Sequence, residues 1–398
     1  MKYKFIFTLY ISALFCSSIA KAGVPDSILK EVESASGKSK KAELYFNLAQ
    51  YYSTIDLSKS IEYADQAIKF GKNESSFKEL CRYYLFLSYV SEMGGKFEEA
   101  LEAGRTAHLF SIKLEHKEYE YYAVKNIANA FRRLAKFDST FSYMMKGLQI
   151  AEEIGNDTLV ANSYNSLGNY YATRYDFDKA EQQHIKSLEI REKLKDTLAM
   201  AYSYNNLGIM YREKGDFDKS LGYYHKAREV YVAINDSSEI AFIYNDIGSA
   251  HSKAGNTDSG EYYLKKSIDI RERMKEYNEL AYTYNYLGEN YERKGNLRMA
   301  EAYIKKALNF AIEIKNNKQH YEALESLSDF FARNKMYDSA YKYLQLYRFF
   351  RDSIRRLDDE KTVAELNTKY ETQKKEKTIQ EQRFELTKKN YLLLGVAI

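Results

Sequence analysis

A Leu or Ile recurs every 40 residues at Leu87, Ile127, Leu167, Leu207, Ile247, Leu287 and Leu327, and in the middle four copies a Gly follows it. A fixed period of this length marks a stack of like units, none of which buries its apolar face alone. The 398 residues therefore count units, not globular domains. In the unit from Ala201 to Ile240, Tyr204, Leu207, Gly208 and Tyr211 keep the i, i+3, i+4, i+7 spacing of an amphipathic helix. Gly215-Asp216 signals a turn, and Phe217, Ser220, Tyr224, Ala227, Tyr231 and Ile234 form a second stripe. Each unit is a helical hairpin. One Pro, no Trp and 39 Tyr describe an all-α chain with almost no helix breakers, packed by Tyr and Phe.

Gly inside a helix costs ~1 kcal/mol relative to Ala. Its recurrence at Gly168, Gly208, Gly248 and Gly288 implies that the two helices of a hairpin approach closely there, with the small Ala180, Ser220, Gly260 and Ala300 completing the contact. The tyrosines Tyr164, Tyr204, Tyr244 and Tyr284 are the matching large residues, expected to fill space between hairpins.

These positions resemble the tetratricopeptide repeat, whose signature places an aromatic, Leu-Gly, Tyr and Ala along a helix pair. The series Tyr164, Leu167, Gly168, Tyr171, Ala180 fits it, as do Tyr204, Leu207, Gly208, Tyr211, Ala227 and Tyr284, Leu287, Gly288, Tyr291, Ala300, Ala307. Weaker copies begin near Tyr45, Tyr84, Val124 and Leu324. The resemblance implies a right-handed superhelix of about eight hairpins over residues 40–355. Its usual repeat of about 34 residues ends in a Pro, where this chain has Glu192, Val232, Glu272 and Ile312. Without that breaker the second helix is free to run on to Asn156-Asp157, Lys195-Asp196, Asn235-Asp236 and Asn316-Asn317.

The flanks differ in character. Residues 1–22 read as a secretory signal peptide: Lys2 and Lys4, an uncharged run from Phe5, then Ala20-Lys21-Ala22. Lipidation at Cys16 is disfavoured by the bulky Phe15 before it. Residues 23–39 are a lead-in. Residues 356–390 form a charged helix with a weak heptad seam through Val363, Tyr370, Phe384 and Tyr391, compatible with a solvated single helix or a homodimeric coiled coil. Residues 391–398 are apolar, but eight residues reach only ~12 Å of a ~30 Å hydrocarbon core. They read as the start of a transmembrane helix.

Several chemistries lack their residues. Gly37-Lys38-Ser39 has the tail of a phosphate loop, with Val32 where its leading Gly belongs. His108, His116, His184, His225, His251 and His320 show no metal-ligand spacing, and His184 and His251 fall at core positions. Removal of the signal peptide leaves Cys81 as the one thiol. A net charge of +4 without a basic stripe argues against nucleic acid as a partner. No catalytic group or cofactor is expected.

One polar series keeps the period. Asn165, Asn205, Asn245 and Asn285 each follow the repeat Tyr, and lie about 130° around the helix from the apolar stripe, with Tyr202, Ile209 and Arg212. In similar repeats that face lines the concave groove. An amide both donates and accepts, so it can pair with the backbone of an extended peptide. Helices pack 8 to 10 Å apart, which is about three extended residues, so four rungs suit roughly ten peptide residues. The alternative is that each Asn bonds a neighbouring helix and fixes the stacking. Arg132, Arg133, Arg212 and Arg293 would favour an acidic ligand, although Glu213, Glu289 and Glu292 dilute that field.

Signal peptide, repeat array, charged helix and start of a span follow the order of the sensor region in bacterial membrane-bound tetratricopeptide-repeat signalling proteins of the histidine-kinase or helix-turn-helix type. That resemblance implies an exported, periplasmic module anchored in the inner membrane that binds a protein or peptide and is no enzyme itself. A freestanding periplasmic scaffold, or the leading part of a regulator whose output domain follows residue 398, are the alternatives.

Overall fold

The computed structural model describes residues 25–72, 75–314 and 317–352. The signal peptide, the 356–390 helix and the 391–398 span expected above lie outside them. Every regular element described is an α-helix. A leading helix, α1 (Pro25–Ser34), precedes the hairpins α2 (Lys38–Tyr52) with α3 (Leu57–Gly71), α4 (Phe77–Met93) with α5 (Phe97–Lys113), and α6 (Lys117–Arg133) with α7 (Phe137–Ile154). Then come α8 (Asp157–Thr173) with α9 (Phe177–Lys193), and α10 (Thr197–Lys214) with α11 (Phe217–Ala233). The series continues with α12 (Ser237–Lys253) and α13 (Thr257–Met274), α14 (Tyr277–Arg293) and α15 (Leu297–Glu313), and α16 (Asn317–Arg333) with α17 (residues 337–352). The helices form two compact units, one through residue 230 and one from residue 231, so the division runs through α11.

The expected lead-in is itself partly helical. α1 sets Ile28 and Val32 against Leu48 of α2 and so covers the apolar end of the first hairpin. Farther along the first unit, Leu207, Met210 and Tyr211 pack on Ala180. In the second unit Leu264, Leu287, Ile304, Leu327 and Phe330 share one core.

The turns repeat every 20 residues, half the sequence period. Glu115, Ala135, Tyr175, Lys195, Asn235, Lys275 and Lys335 have positive φ, and Gly95, Gly155, Gly215, Gly255 and Gly295 occupy the positions between them. Each such residue ends a helix, and the N–H after it reaches back five residues, as in Asp176 to the Tyr171 carbonyl at 3.0 Å and Asp216 to that of Tyr211 at 2.9 Å. The same Asp then caps the next helix with its side chain, accepting from the Lys179 N–H at 3.3 Å or the Lys219 N–H at 3.2 Å. One residue thus closes one helix and opens the next. The helices of a hairpin come out equal, 17 residues each in α8 and α9, so the missing Pro does not leave a long second helix beside a short first one.

The glycines lie where the helices touch. A Cβ on Gly208 would sit 2.5 Å from the Tyr224 ring, and one on Gly288 would sit 2.5 Å from Ile304. One on Gly248 would meet Leu264 at 2.7 Å, and one on Gly168 would meet His184 at 2.6 Å. Ser220 completes the α10–α11 contact by donating to the Gly208 carbonyl at 2.8 Å.

The tyrosines act within hairpins more than between them. Tyr223 of α11 stacks on both Tyr204 and Tyr211 of α10, with ring centroids 6.3 and 5.6 Å away. Tyr303 does the same with Tyr284 and Tyr291, at 6.3 and 5.4 Å. A Lys from the second helix lies over the repeat Tyr in four successive hairpins: Lys186 on Tyr164, Lys226 on Tyr204, Lys266 on Tyr244 and Lys306 on Tyr284. Each such contact adds roughly 0.5–1 kcal/mol at a surface site. Ties between neighbouring hairpins pass through the hydroxyls, as when Tyr291 donates to Glu261 at 2.7 Å and Tyr211 donates to Glu181.

Propensity and packing predict opposite signs at Gly208. Alanine there improves helix propensity by ~1 kcal/mol, yet overpacking against the buried Tyr224 ring costs roughly 1–3 kcal/mol. Thermal melting of Gly208→Ala is expected to show a net loss. Gly222→Ala in the same hairpin, where nothing lies within 4 Å of the new Cβ, is expected to gain stability.

Candidate functional site

The Asn series lies on the first helix of each hairpin, and its members differ in what they touch. The Asn165 Oδ1 accepts from Asn206 Nδ2 at 2.8 Å and lies 3.2 Å from the His184 Nδ1. Asn206 belongs to α10, so this rung ties one hairpin to the next. Asn285 does likewise, donating to Ser326 Oγ of α16 at 2.6 Å. A third tie of the same geometry occurs where Asn126 of α6 donates to the Leu85 carbonyl of α4 at 3.0 Å.

Asn205 and Asn245 are 7% and 2% exposed, and their Oδ1 atoms have no hydrogen-bond partner among the described residues. The Oδ1 of Asn285 is also without one. Such an acceptor costs about 1–3 kcal/mol while it stays unmet. The helix face around Asn205 is open, since Tyr202, Ile209 and Arg212 are partly exposed. Asn205 is the floor of that face.

The arginines expected to draw an acidic ligand already meet carboxylates. Arg132 lies 4.0 Å from Glu92, Arg133 donates to the same Glu92, and Arg212 donates to Glu213 at 3.1 Å. In the second unit Glu289 sits one turn beyond Asn285. Burial raises its carboxyl pKa, against the pull of Arg293, Arg333 and Lys253. The face presents mixed charge.

Two groups were not singled out by the sequence. Arg191 and Arg271, both 3% exposed, stand at one repeat position 80 residues apart, where Ala151 and Ala311 stand in other hairpins. Arg191 donates to the Ala199 carbonyl at 2.9 Å, Ser203 Oγ at 2.8 Å and Asn162 Oδ1 at 2.9 Å. Arg271 donates to Ser267 and faces Glu276 and Glu279. A charged residue at a position that elsewhere holds the uncharged Ala151, Tyr231 and Ala311 was the available signal. The other is Lys125, which occupies the Asn position one repeat before Asn165.

His184, expected as a core residue, is 1% exposed, and burial with the nearby Arg191 charge holds its pKa down to about 3. His251 stacks on Tyr263 at 5.7 Å, and burial lowers its pKa too. Cys81 is buried and its thiol is pushed up to about 12. Among the described residues no group of His, Cys, Asp or Glu is placed to hold a metal ion, and no helix is long and apolar enough to cross a membrane.

The tetratricopeptide-repeat family profile matches residues 120–193, 198–273 and 239–313. No curated protein matches the chain. Among solved structures it is similar to a Rap protein complexed with competence and sporulation factor, at 13% identity and TM-score 0.59, covering 83% of this chain and 92% of that one. It is similar also to the apo quorum sensor NprR from B. thuringiensis, at 14% identity and TM-score 0.57, covering 82% and 92%. Aspartyl phosphate phosphatase F from Bacillus subtilis matches at 14% identity and TM-score 0.56, covering 79% and 81%. At such identities the likeness is one of fold.

The buried His184 makes stability depend on pH. The unfolded chain binds its proton near 6.5, which the folded chain refuses until about 3, so stability falls as pH drops through that window. Between pH 7 and pH 5 this one group costs about 2 kcal/mol. His184→Leu, which puts an aliphatic residue where Leu264 and Ile304 stand in later hairpins, should flatten the decline by that amount in denaturant titrations at the two pH values. An unchanged decline would show that His184 is not the group responsible.

Proposed function

Since the chain belongs to the tetratricopeptide-repeat family, we propose that it is a protein-interaction module in which each unit, taken by itself, holds an extended peptide segment against the first-helix face that carries its members of the Asn series. The observation that supports this most is the set of unmet carbonyl oxygens at Asn205, Asn245 and Asn285. Rotation about χ2 exchanges the two ends of an amide at modest cost, so each can turn an acceptor toward a peptide N–H. A ligand held in this way is read by its backbone, with Tyr202, Ile209 and their equivalents contacting side chains. The mixed charge of the face suits a ligand without strong net charge. That one neighbour in fold was solved with competence and sporulation factor, and another is a quorum sensor, fits a role in receiving a signal.

The double variant Asn205→Ala with Asn245→Ala tests this. It should retain helix content and melt no lower than the parent, because it removes two unmet acceptors, while losing affinity by about tenfold or more for a peptide selected from a random ten-residue library. A drop of several degrees in melting temperature with binding intact would assign the series to stacking alone.

The same proposal places the array outside the cytoplasm, as the sensor part of a membrane signalling protein. It rests on the A-x-A pattern before Gly23 and the apolar run Leu392 to Ile398. Lys388 and Lys389 would then flank the span on its outer side, against the usual bias. Pairing of two chains through residues 356–390 would bring two arrays together at the membrane. Protease added to cells with a permeabilised outer envelope should digest the repeats, and a chain ending at Arg356 should be released as a soluble periplasmic protein. Repeats protected along with a cytoplasmic marker would reverse the localisation.

A further inference from the structure

Lys125 lies in a crevice of its own. Tyr121, Asn129, Tyr143, Ser163 and Ser166 line it with Lys125, and its interior volume is about 20 Å³, room for a guest of very few atoms. Three helices meet there: α6 contributes Tyr121, Lys125 and Asn129, α7 contributes Tyr143, and α8 contributes the two serines. The Tyr121 hydroxyl, 3.3 Å from both the Leu159 carbonyl and Ser163 Oγ, fixes one wall. Ser166 already donates its proton to the Asn162 carbonyl at 2.9 Å. Asn129, one helical turn after Lys125, supplies amide N–H donors. The guanidinium of Arg191, pinned by Asn162, Ser203 and Ala199, is near enough to both Tyr121 and Lys125 for its charge to act on them.

Burial, with the Arg191 charge added, lowers the Lys125 ammonium from 10.5 to about 7. A neutral amine is a nucleophile, and this one is neutral to a large extent at physiological pH. Tyr121 is pushed up to about 12 by burial, so its hydroxyl stays protonated. Three classes of electrophile react with a neutral amine, and the crevice discriminates among them. An aldehyde would give an imine whose protonated form adds a cation beside Arg191, the same charge that disfavours the ammonium. An activated acyl donor carries a leaving group too large for the interior. Carbon dioxide is small, and its adduct is an anion that Arg191 and the Asn129 amide favour.

We propose that Lys125 is a carbamylation site at which the side-chain amine takes up carbon dioxide reversibly. The Nζ lone pair attacks the carbon, an N–C bond forms, one C=O π pair moves onto oxygen, and the nitrogen gives a proton to water. The products are the carbamate anion and H⁺, with no change of oxidation state. The position that precedes the Asn series then carries a negative charge in place of a neutral or positive one.

The test uses the full chain at neutral pH in bicarbonate buffer enriched in ¹³C, trapped with triethyloxonium and mapped by peptide mass spectrometry. An ethyl carbamate on Lys125 is expected at a yield about tenfold or more above that of exposed lysines such as Lys136 and Lys193. Lys125→Arg should abolish that adduct and leave the others. Asn129→Ala should lower it severalfold with melting unchanged. Absence of the Lys125 adduct from the parent, equal labelling across all lysines, or an undiminished yield in Asn129→Ala would each overturn the proposal.

Discussion

Everything else in the array is arranged around the contact between the two helices of a hairpin at the small residue of the first. At Gly208 the Tyr224 ring lies where a Cβ would be, and the Gly208 carbonyl is held by Ser220. This sets the interaxial distance, and the distance sets what can stack beside it. Tyr223 fits between Tyr204 and Tyr211 only when α11 lies this close to α10. The propensity cost of a helical Gly is ~1 kcal/mol, and it is offset by two aromatic stackings and a buried hydrogen bond. Because the contact recurs at Gly248 and Gly288 with Leu264 and Ile304 as the inserted residues, the geometry is a property of the small residue and not of any one partner.

The hairpins, their number and the close contact at Gly were legible because each leaves a compositional mark at a constant spacing: the Leu-Gly pair, the Tyr stripe, the turn signals. The 20-residue spacing of the turns was less so. Gly215 and Gly255 announce a left-handed residue, but Glu115, Ala135, Tyr175 and Lys195 hold the same positive φ without being residues that favour it. Their conformation is imposed by the close packing on either side, which fixes the length of the connection. An Asp or Asn after the left-handed residue, as at Asp176 and Asp196 after Tyr175 and Lys195 and at Asn156 after Gly155, carried the better signal, since its side chain caps the next helix.

The polar interior was the least legible. A period-40 Asn is the same letter whether it bonds a neighbouring hairpin or leaves its oxygen unmet, and the difference depends on the residue one step farther along in the next hairpin. Asn206 meets the oxygen of Asn165, whereas Ser326 takes the N–H of Asn285 and leaves its oxygen unmet. The arginines were missed for the opposite reason. Arg191 and Arg271 stand where other hairpins bury Ala151, Tyr231 and Ala311, so they read as exceptions to the repeat, and only the fold shows each enclosed by carbonyls, hydroxyls or carboxylates.

A stack of near-identical hairpins has a difficulty that ordinary cores lack, because similar apolar faces can pair in more than one register. Slippage of one helix by a turn would still bury Leu against Tyr. It would separate Asn206 from Asn165 and Asn126 from the Leu85 carbonyl, leaving buried amides unmet on both sides at a cost of about 1–3 kcal/mol per group. The polar ties therefore contribute less to the depth of the native state than to its distinction from slipped alternatives, the best-attested use of buried polar groups. The same logic explains why the series need not be fully paired. Where neighbouring ties already fix the register, an amide such as Asn205 is released from that task, and its oxygen stays unmet beside the partly exposed Tyr202, Ile209 and Arg212.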